Sequence, residues 1–95
     1  MSTRVALITG AANGIGAAVA ARLAAEGRDL ALFDLDAPRL EATVARLRAT
    51  AAGRICPYVV DVRDSAQVAA AVAAVHQTFG HVDILVNNVG GSTPQ

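Results

Sequence analysis

The chain has 95 residues, enough for one domain with a single hydrophobic core. Its eight acidic residues balance eight basic ones, all of them Arg, so no excess of positive charge indicates a nucleic-acid partner. A lone cysteine, Cys56, excludes an internal disulfide, and no uncharged stretch is apolar and long enough to predict a signal peptide or a membrane span, so we expect a cytoplasmic protein without a membrane partner.

Strand-like and helix-like segments alternate along the chain. Short runs of branched apolar residues predict β-strands at 5–8, 30–34, 55–60 and 82–86. Apolar residues three or four positions apart predict helices over about 14–26, between a cap at Asp36 and an end at Gly53, and between a cap at Asp64 or Ser65 and an end at Gly80. Residues 87–95 are predicted to be a loop.

The alternation predicts the fold class. Strands separated by helices indicate an α/β protein with a parallel sheet, here a partial Rossmann (doubly wound) fold with strand order 3-2-1-4, formed by a single truncated domain at 1–95. Pro57 cannot donate a ladder hydrogen bond, and this order gives its strand the edge position that Pro requires. The fourth strand would keep a free edge, so we expect self-association or a complementing C-terminal chain there.

Three glycines follow the first predicted strand with the spacing G-x-x-x-G-x-G, namely Gly10, Gly14 and Gly16. Glycine permits a tight turn and the close approach of a pyrophosphate, and the helix that follows directs free N–H groups at the anion. A P-loop is excluded because the chain has no Lys. The alternative is a tight turn that needs small residues for packing alone.

Acidic residues end the second and third predicted strands. Asp34 can accept hydrogen bonds from an adenosine ribose diol, and its charge would repel a 2′-phosphate, which favours NAD over NADP. Asp36 is the better cap for the next helix, and this leaves Asp34 for the ligand. Asp61 could accept from an adenine amino group or order the loop with Arg63, and the sequence does not separate these roles.

Four segments together resemble the short-chain dehydrogenase/reductase family. They are T-G-x-x-x-G-I-G at 9–16, the acidic Asp34, D-V at Asp61 and Val62, and N-N-V-G at 87–90, where the family has N-N-A-G. The resemblance implies an NAD-binding part of an oxidoreductase that passes hydride between NAD and an alcohol or carbonyl. The cofactor-binding residues it implies are Gly10, Asn13, Gly14, Ile15 and Gly16 at the pyrophosphate, Asp34 and Leu35 at the adenosine ribose, Asp61 and Val62 at the adenine, and Asn88, Val89 and Gly90 at the centre of the cofactor. Asn87 is expected to tie strands together.

The same resemblance covers only the first part of the family fold. The family's catalytic Ser, Tyr and Lys lie further along much longer chains, so no catalytic residue is expected here. Tyr58 is interpreted as a packing residue, and His76 and His81 lack the partners of a metal site. We expect an NAD-binding segment that is inactive alone; the alternatives are a noncatalytic nucleotide-binding or subunit-like module, or a nonfunctional fragment.

Overall fold

A computed structural model describes residues 4–88 as alternating strands and helices. The elements are β1 (Val5–Thr9), α1 (Gly14–Ala25), β2 (Asp29–Asp34), α2 (Ala37–Arg48), β3 (Ile55–Val59), α3 (Ser65–Phe79) and β4 (Ile84–Asn87). The strands form one parallel sheet in the order β3-β2-β1-β4, which confirms the predicted topology. Val89 and Gly90, which belong to the predicted site, lie outside the described residues.

Two apolar clusters cover the two faces of the sheet. One cluster joins α1 and α2 to residues such as Ile8, Leu30 and Leu32, and the other joins α3 to Leu7 and Phe33. Neighbouring residues along a strand point to opposite faces, so β1 and β2 contribute alternate side chains to the two clusters. The strands β1 and β2 lie in the middle of the sheet, so each pairs with a strand on both sides. This pairing fixes the end of β1, which precedes the glycine loop, and the end of β2, which is Asp34.

The predicted edge position of the third strand is confirmed. Pro57 pairs with Leu32 on the inner side, and its strand β3 ends the sheet. Tyr58, the next residue, packs edge-to-face on Phe33 with ring centroids 5.6 Å apart, as the packing interpretation predicts.

Several predicted boundaries are wrong. The helix α2 ends at Arg48, not at Gly53, and the chain beyond it turns back toward β3, where the Ile55 carbonyl accepts from the Arg48 guanidinium (2.7 Å). Gly53 serves a different purpose: a Cβ there would lie 2.5 Å from the Arg28 carbonyl oxygen, so the close approach of two loops requires glycine. The strand β4 begins at Ile84 and includes Asn87, which the sequence assigned to the loop. Four further ends move by one residue, at Thr9, Ala25, Asp29 and Val59.

Candidate functional site

The predicted site residues meet at the carboxyl edge of the sheet. All strands run in the same direction, so the segments that follow β1, β2, β3 and β4 emerge together. The structure brings to this edge the predicted residues Gly10, Asn13, Gly14, Ile15, Gly16, Asp34, Leu35, Asp61, Val62 and Asn88. Ile15 and Leu35 expose 72% and 56% of their surfaces there.

The presence of glycine has a different explanation at each of the three loop positions. Gly10 has φ +63°, and a Cβ on it would overlap the Asn88 carbonyl oxygen. A Cβ on Gly16 would overlap the Gly10 carbonyl oxygen, so the fold itself needs both residues to be glycine. Gly14 has no atom within 4 Å of the position of its missing Cβ and its φ is not positive. Packing within residues 4–88 therefore does not explain Gly14, and the space beside it is open to a ligand.

The N-terminus of α1 differs from those of the other helices described. Asp36 caps α2 by accepting from the Arg39 amide (3.1 Å), and Asp64 caps α3 by accepting from the Ala66 amide (3.0 Å). Asn13 caps α1 without a side-chain hydrogen bond; like α2 and α3, α1 has no acidic residue in its first turn. The amide N–H groups of this turn and the positive end of the helix dipole are thus available to an anion.

Asp34 links two of the loops at this edge. Its Oδ2 accepts from the Ala12 amide (2.9 Å) and its Oδ1 accepts from the Asp36 amide (2.9 Å). The Ala11 amide donates to the Phe33 carbonyl (3.1 Å), so the glycine loop lies directly against the end of β2. The sequence indicated Asp34 as a ligand for a ribose and did not reveal its contact with Ala12, because only the fold brings these two residues together.

Asp61 orders its own loop, which was one of the two roles left open. Its carboxylate accepts from the Arg63 backbone amide (3.0 Å) and from Nε of the Arg63 guanidinium (3.0 Å). The hydrogen bond from the Arg63 side chain lowers the pKa of the Asp61 carboxyl from its ordinary value. The Asp61 amide donates to the side chain of Gln67, a contact that sequence reasoning missed. Val62 is half-buried and packs on the α3 side of the sheet.

Thr9, Asn87 and Asn88 tie the end of β4 to the glycine loop. The Thr9 hydroxyl donates to Oδ1 of Asn87 (3.0 Å) and accepts from the Asn88 amide (2.8 Å). The Asn88 side-chain amide points at the Gly10 carbonyl (3.5 Å). This network confirms that Asn87 ties strands together, and it adds Thr9, a buried polar residue at the end of an apolar strand, which was quoted in the motif but not singled out.

An apolar groove of about 520 Å³ lies below this edge, on the α3 side of the sheet. Its lining is Leu7, Thr9, Phe33, Val62, Val68, Val72, His76, Val82, Leu85 and Asn87. Leu85 on β4 is 66% exposed in it. In the described part of the chain, β4 pairs with β1 and with no second strand, so the groove borders a free sheet edge.

Residues 4–88 contain neither a group of three metal-ligating side chains nor a helix long and apolar enough to cross a bilayer. His81 lies 2.9 Å from the carboxylate of Asp83, which also accepts from the Val5 amide, so this histidine has a structural partner at the start of β4.

The family model for short chain dehydrogenase matches residues 4–95. The chain belongs to the short-chain dehydrogenase family. The chain is 47% identical over 88 residues to levodione reductase from Leifsonia aquatica, and the match covers 92% of the chain but 33% of that relative. Matches of this kind span about a third of the length of the curated relatives.

Solved structures with the same architecture include cofactor complexes. L-Sorbose reductase from Gluconobacter frateurii, complexed with NADPH and L-sorbose, superposes with a TM-score of 0.88 at 39% identity over 95% of the chain and 34% of that structure. NAD⁺-bound xylitol dehydrogenase gives a TM-score of 0.84 at 38% identity, covering 88% of the chain and 32% of that structure. The family and the Rossmann-type fold are thereby established, and both forms of the nicotinamide cofactor occur among the similar structures.

Proposed function

We propose that this short-chain dehydrogenase segment binds the ADP half of NAD at the carboxyl edge of its sheet. The observation that carries the proposal is the uncapped N-terminus of α1 beside the open space at Gly14. A pyrophosphate is an anion that needs backbone N–H donors and a close approach, and this turn offers both. The family resemblance extends the proposed contacts to Asn13, Ile15 and Gly16.

The remaining contacts are proposed from position and chemistry. Asp34 is half-buried at the end of β2 and would accept from the adenosine ribose hydroxyls, while the exposed Leu35 would lie beside the adenosine. Asp61 and Val62 would border the adenine, and Asn88 would lie toward the centre of the cofactor, with Val89 and Gly90 proposed to follow it. When bound, NAD supplies a hydride acceptor or, once reduced, a hydride donor.

The charge of Asp34 favours NAD over NADP. A 2′-phosphate on the adenosine ribose would bring a second negative group toward this carboxylate, and no Arg follows it in the β2–α2 turn, 35–36. The similar structures hold either NADPH or NAD⁺, so the preference depends on this chain's own residues. We expect NAD to bind at least about tenfold more tightly than NADP.

Calorimetric titration with NAD and NADP tests both parts of the proposal. Asp34→Ala should reduce the preference for NAD, whereas Asp36→Ala, which removes a carboxylate two residues away that caps α2, should preserve it. Failure of the folded chain to bind either cofactor would refute the site. A preference of the unmodified chain for NADP would refute the interpretation of Asp34 alone.

For the whole protein, we propose an oxidoreductase that transfers hydride between NAD and an alcohol or carbonyl, with this chain as its cofactor half. The chain has no Lys, and Tyr58 packs on Phe33, so we propose that it is inactive alone. Within residues 4–88, the unpaired edge of β4 and the apolar groove favour a second candidate, a noncatalytic nucleotide-binding or subunit-like module that works in the cytoplasm with a complementing chain. Adding a separate chain with the family's Ser, Tyr and Lys and assaying NAD reduction distinguishes the two: NAD reduction would support the oxidoreductase, and association without NAD reduction would support the noncatalytic module.

A further inference from the structure

We propose that Asp34 is a positioning residue for the glycine loop and that part of its effect on cofactor binding does not depend on the ribose hydroxyls. The inference rests on the proposed NAD site and concerns how that site is kept in its binding conformation. A role limited to the diol would require Asp34 to have free oxygens and no contact with the loop. In the structure both oxygens of Asp34 accept hydrogen bonds, and one of the donors belongs to the glycine loop.

The Ala12 amide depends on Asp34 for its hydrogen bond. Ala11 and Ala12 are buried, with 0% and 8% of their surfaces exposed, and the amide of Ala12 donates to Oδ2 of Asp34 at 2.9 Å. The Asn13 backbone amide donates to the Gly10 carbonyl at 3.2 Å, so the loop also has an internal hydrogen bond. Without the carboxylate, the Ala12 N–H would lose its partner in a position with little access to water, and the loop would have to rearrange to satisfy it.

The second oxygen holds the carboxylate in place. Oδ1 of Asp34 accepts from the Asp36 amide at 2.9 Å, and Asp36 in turn caps α2. The carboxylate therefore joins the glycine loop to the turn that begins α2, and neither bond needs a ligand. An ionised carboxylate offers about four acceptor positions, so a ribose hydroxyl can bind Asp34 without displacing Ala12.

Loss of Asp34 should then have three separable effects. The first is the loss of an acceptor for the ribose hydroxyls, which acts only on ligands that carry them. The second is the loosening of the loop two residues before Gly14, which acts on every ligand that places a pyrophosphate there. A third effect has the opposite sign, because removing a negative charge near a diphosphate favours its binding.

Titration with ADP and with 2′,3′-dideoxy-ADP separates these effects. We expect Asp34→Ala to weaken the binding of dideoxy-ADP at least about fivefold, since the loop is no longer ordered. Asp36→Ala, with the same change of charge and no bond to the loop, should change it by less than about twofold. Dideoxy-ADP binding that is unchanged or tighter in Asp34→Ala would overturn the inference and leave Asp34 as a ligand of the diol only.

Amide hydrogen exchange without any ligand provides an independent test. In Asp34→Ala the Ala12 amide should exchange at least about tenfold faster than in the unmodified chain, and in Asp36→Ala it should keep its protection. If Asp34→Ala does not fold, Asp34→Asn replaces it. Ala12 and Asp36 donate to different oxygens of the Asp34 carboxylate, and asparagine has an NH2 group, which cannot accept, in place of one of them, so protection at one of the two amides should fall. Unchanged protection of both would overturn the inference. An unmodified chain that binds no nucleotide would refute the proposed function, while the exchange at Ala12 would still decide the role of Asp34.

Discussion

Gly14 and Gly16 show how two glycines of one motif can serve different purposes. A Cβ at Gly16 meets the Gly10 carbonyl, whereas a Cβ at Gly14 meets nothing in the described residues. The fold therefore accounts for Gly16, whereas residues 4–88 give no packing reason for Gly14, which is consistent with the proposed close approach of a ligand. Substitution by alanine should consequently affect stability at one position and ligand binding at the other.

Gly14→Ala should stabilise the free chain by up to about 1 kcal/mol, because alanine favours the helix and restricts the unfolded chain more than glycine does. It should weaken NAD binding at least about tenfold, because the added methyl group occupies the approach of the pyrophosphate. Urea denaturation and calorimetric titration measure the two effects. Gly16→Ala is the matched control and should destabilise the chain by more than about 2 kcal/mol. Full NAD affinity in Gly14→Ala would contradict the proposed location of the pyrophosphate.

The ion pair of Asp61 and Arg63 makes a pH-dependent contribution to the loop after β3. The Arg63 side chain lowers the pKa of Asp61, so the pair stabilises the folded chain above the ordinary carboxyl pKa of about 3.9, and this stabilisation is lost as pH falls through the lowered value. Arg63→Gln should raise the pKa of Asp61 toward the ordinary range, as followed by NMR titration of its carboxyl carbon. Because the Arg63 side chain is 79% exposed, the change in unfolding free energy should be small. An unchanged pKa would show that another group is responsible.

At the level of elements, the three helices of residues 4–88 begin in two ways. Helices α2 and α3 have an aspartate cap whose side chain accepts backbone hydrogen bonds, whereas the cap of α1 is an asparagine that makes no side-chain hydrogen bond. An acidic cap would stabilise α1 through its free N–H groups and its dipole. Its absence leaves α1 able to accept an anion from outside the chain.

Asn13→Asp should therefore stabilise the free chain by about 0.5 kcal/mol and weaken NAD binding, since the new carboxylate competes with the pyrophosphate for the same N–H groups. Thermal unfolding with and without NAD measures both effects. Asp64→Ala is the control: it removes the cap of α3, so it should lower the free energy of unfolding by about 1 kcal/mol and leave the NAD affinity unchanged. Equal NAD affinity in Asn13→Asp and the unmodified chain would argue against an anion at α1.

At the scale of the whole molecule, the sheet has two edges that differ in their ability to pair. The edge at β3 contains Pro57, which cannot donate to a further strand. The edge at β4 has no proline, and the exposed Leu85 lies beside an apolar groove. We therefore expect association to occur through β4 rather than through β3.

Sedimentation velocity over a range of concentrations should show self-association of the chain alone, and Leu85→Glu should shift it toward the monomer. Val59→Glu is the matched control, because Val59 is 57% exposed on the opposite edge strand. The control should associate as the unmodified chain does. A monodisperse monomer that melts cooperatively above about 60 °C would contradict the expected dependence on a partner.

Sequence patterns were sufficient for the order of the elements and for much of the site. Apolar periodicity located the strands and helices of residues 4–88, and their alternation predicted the order β3-β2-β1-β4. Pro57 indicated that its strand, β3, lies at an edge of the sheet. The largest error, at Gly53, concerns a position where distant segments meet. Gly53 looked like a helix end because local sequence cannot reveal that the Arg28 carbonyl approaches it.

The sequence by itself determined the family, the elements and the residues at the carboxyl edge, because spacing and periodicity are local properties that parallel strands convert into a shared edge. Only the tertiary structure decided what those residues do for one another. It showed that Asp34 accepts from the Ala12 and Asp36 amides and that Asn87 accepts from the Thr9 hydroxyl. It also showed that a Cβ would clash at Gly16 but not at Gly14. Hydrogen bonds and close approaches join residues that are far apart in the chain, and their distances exist only once the strands have paired.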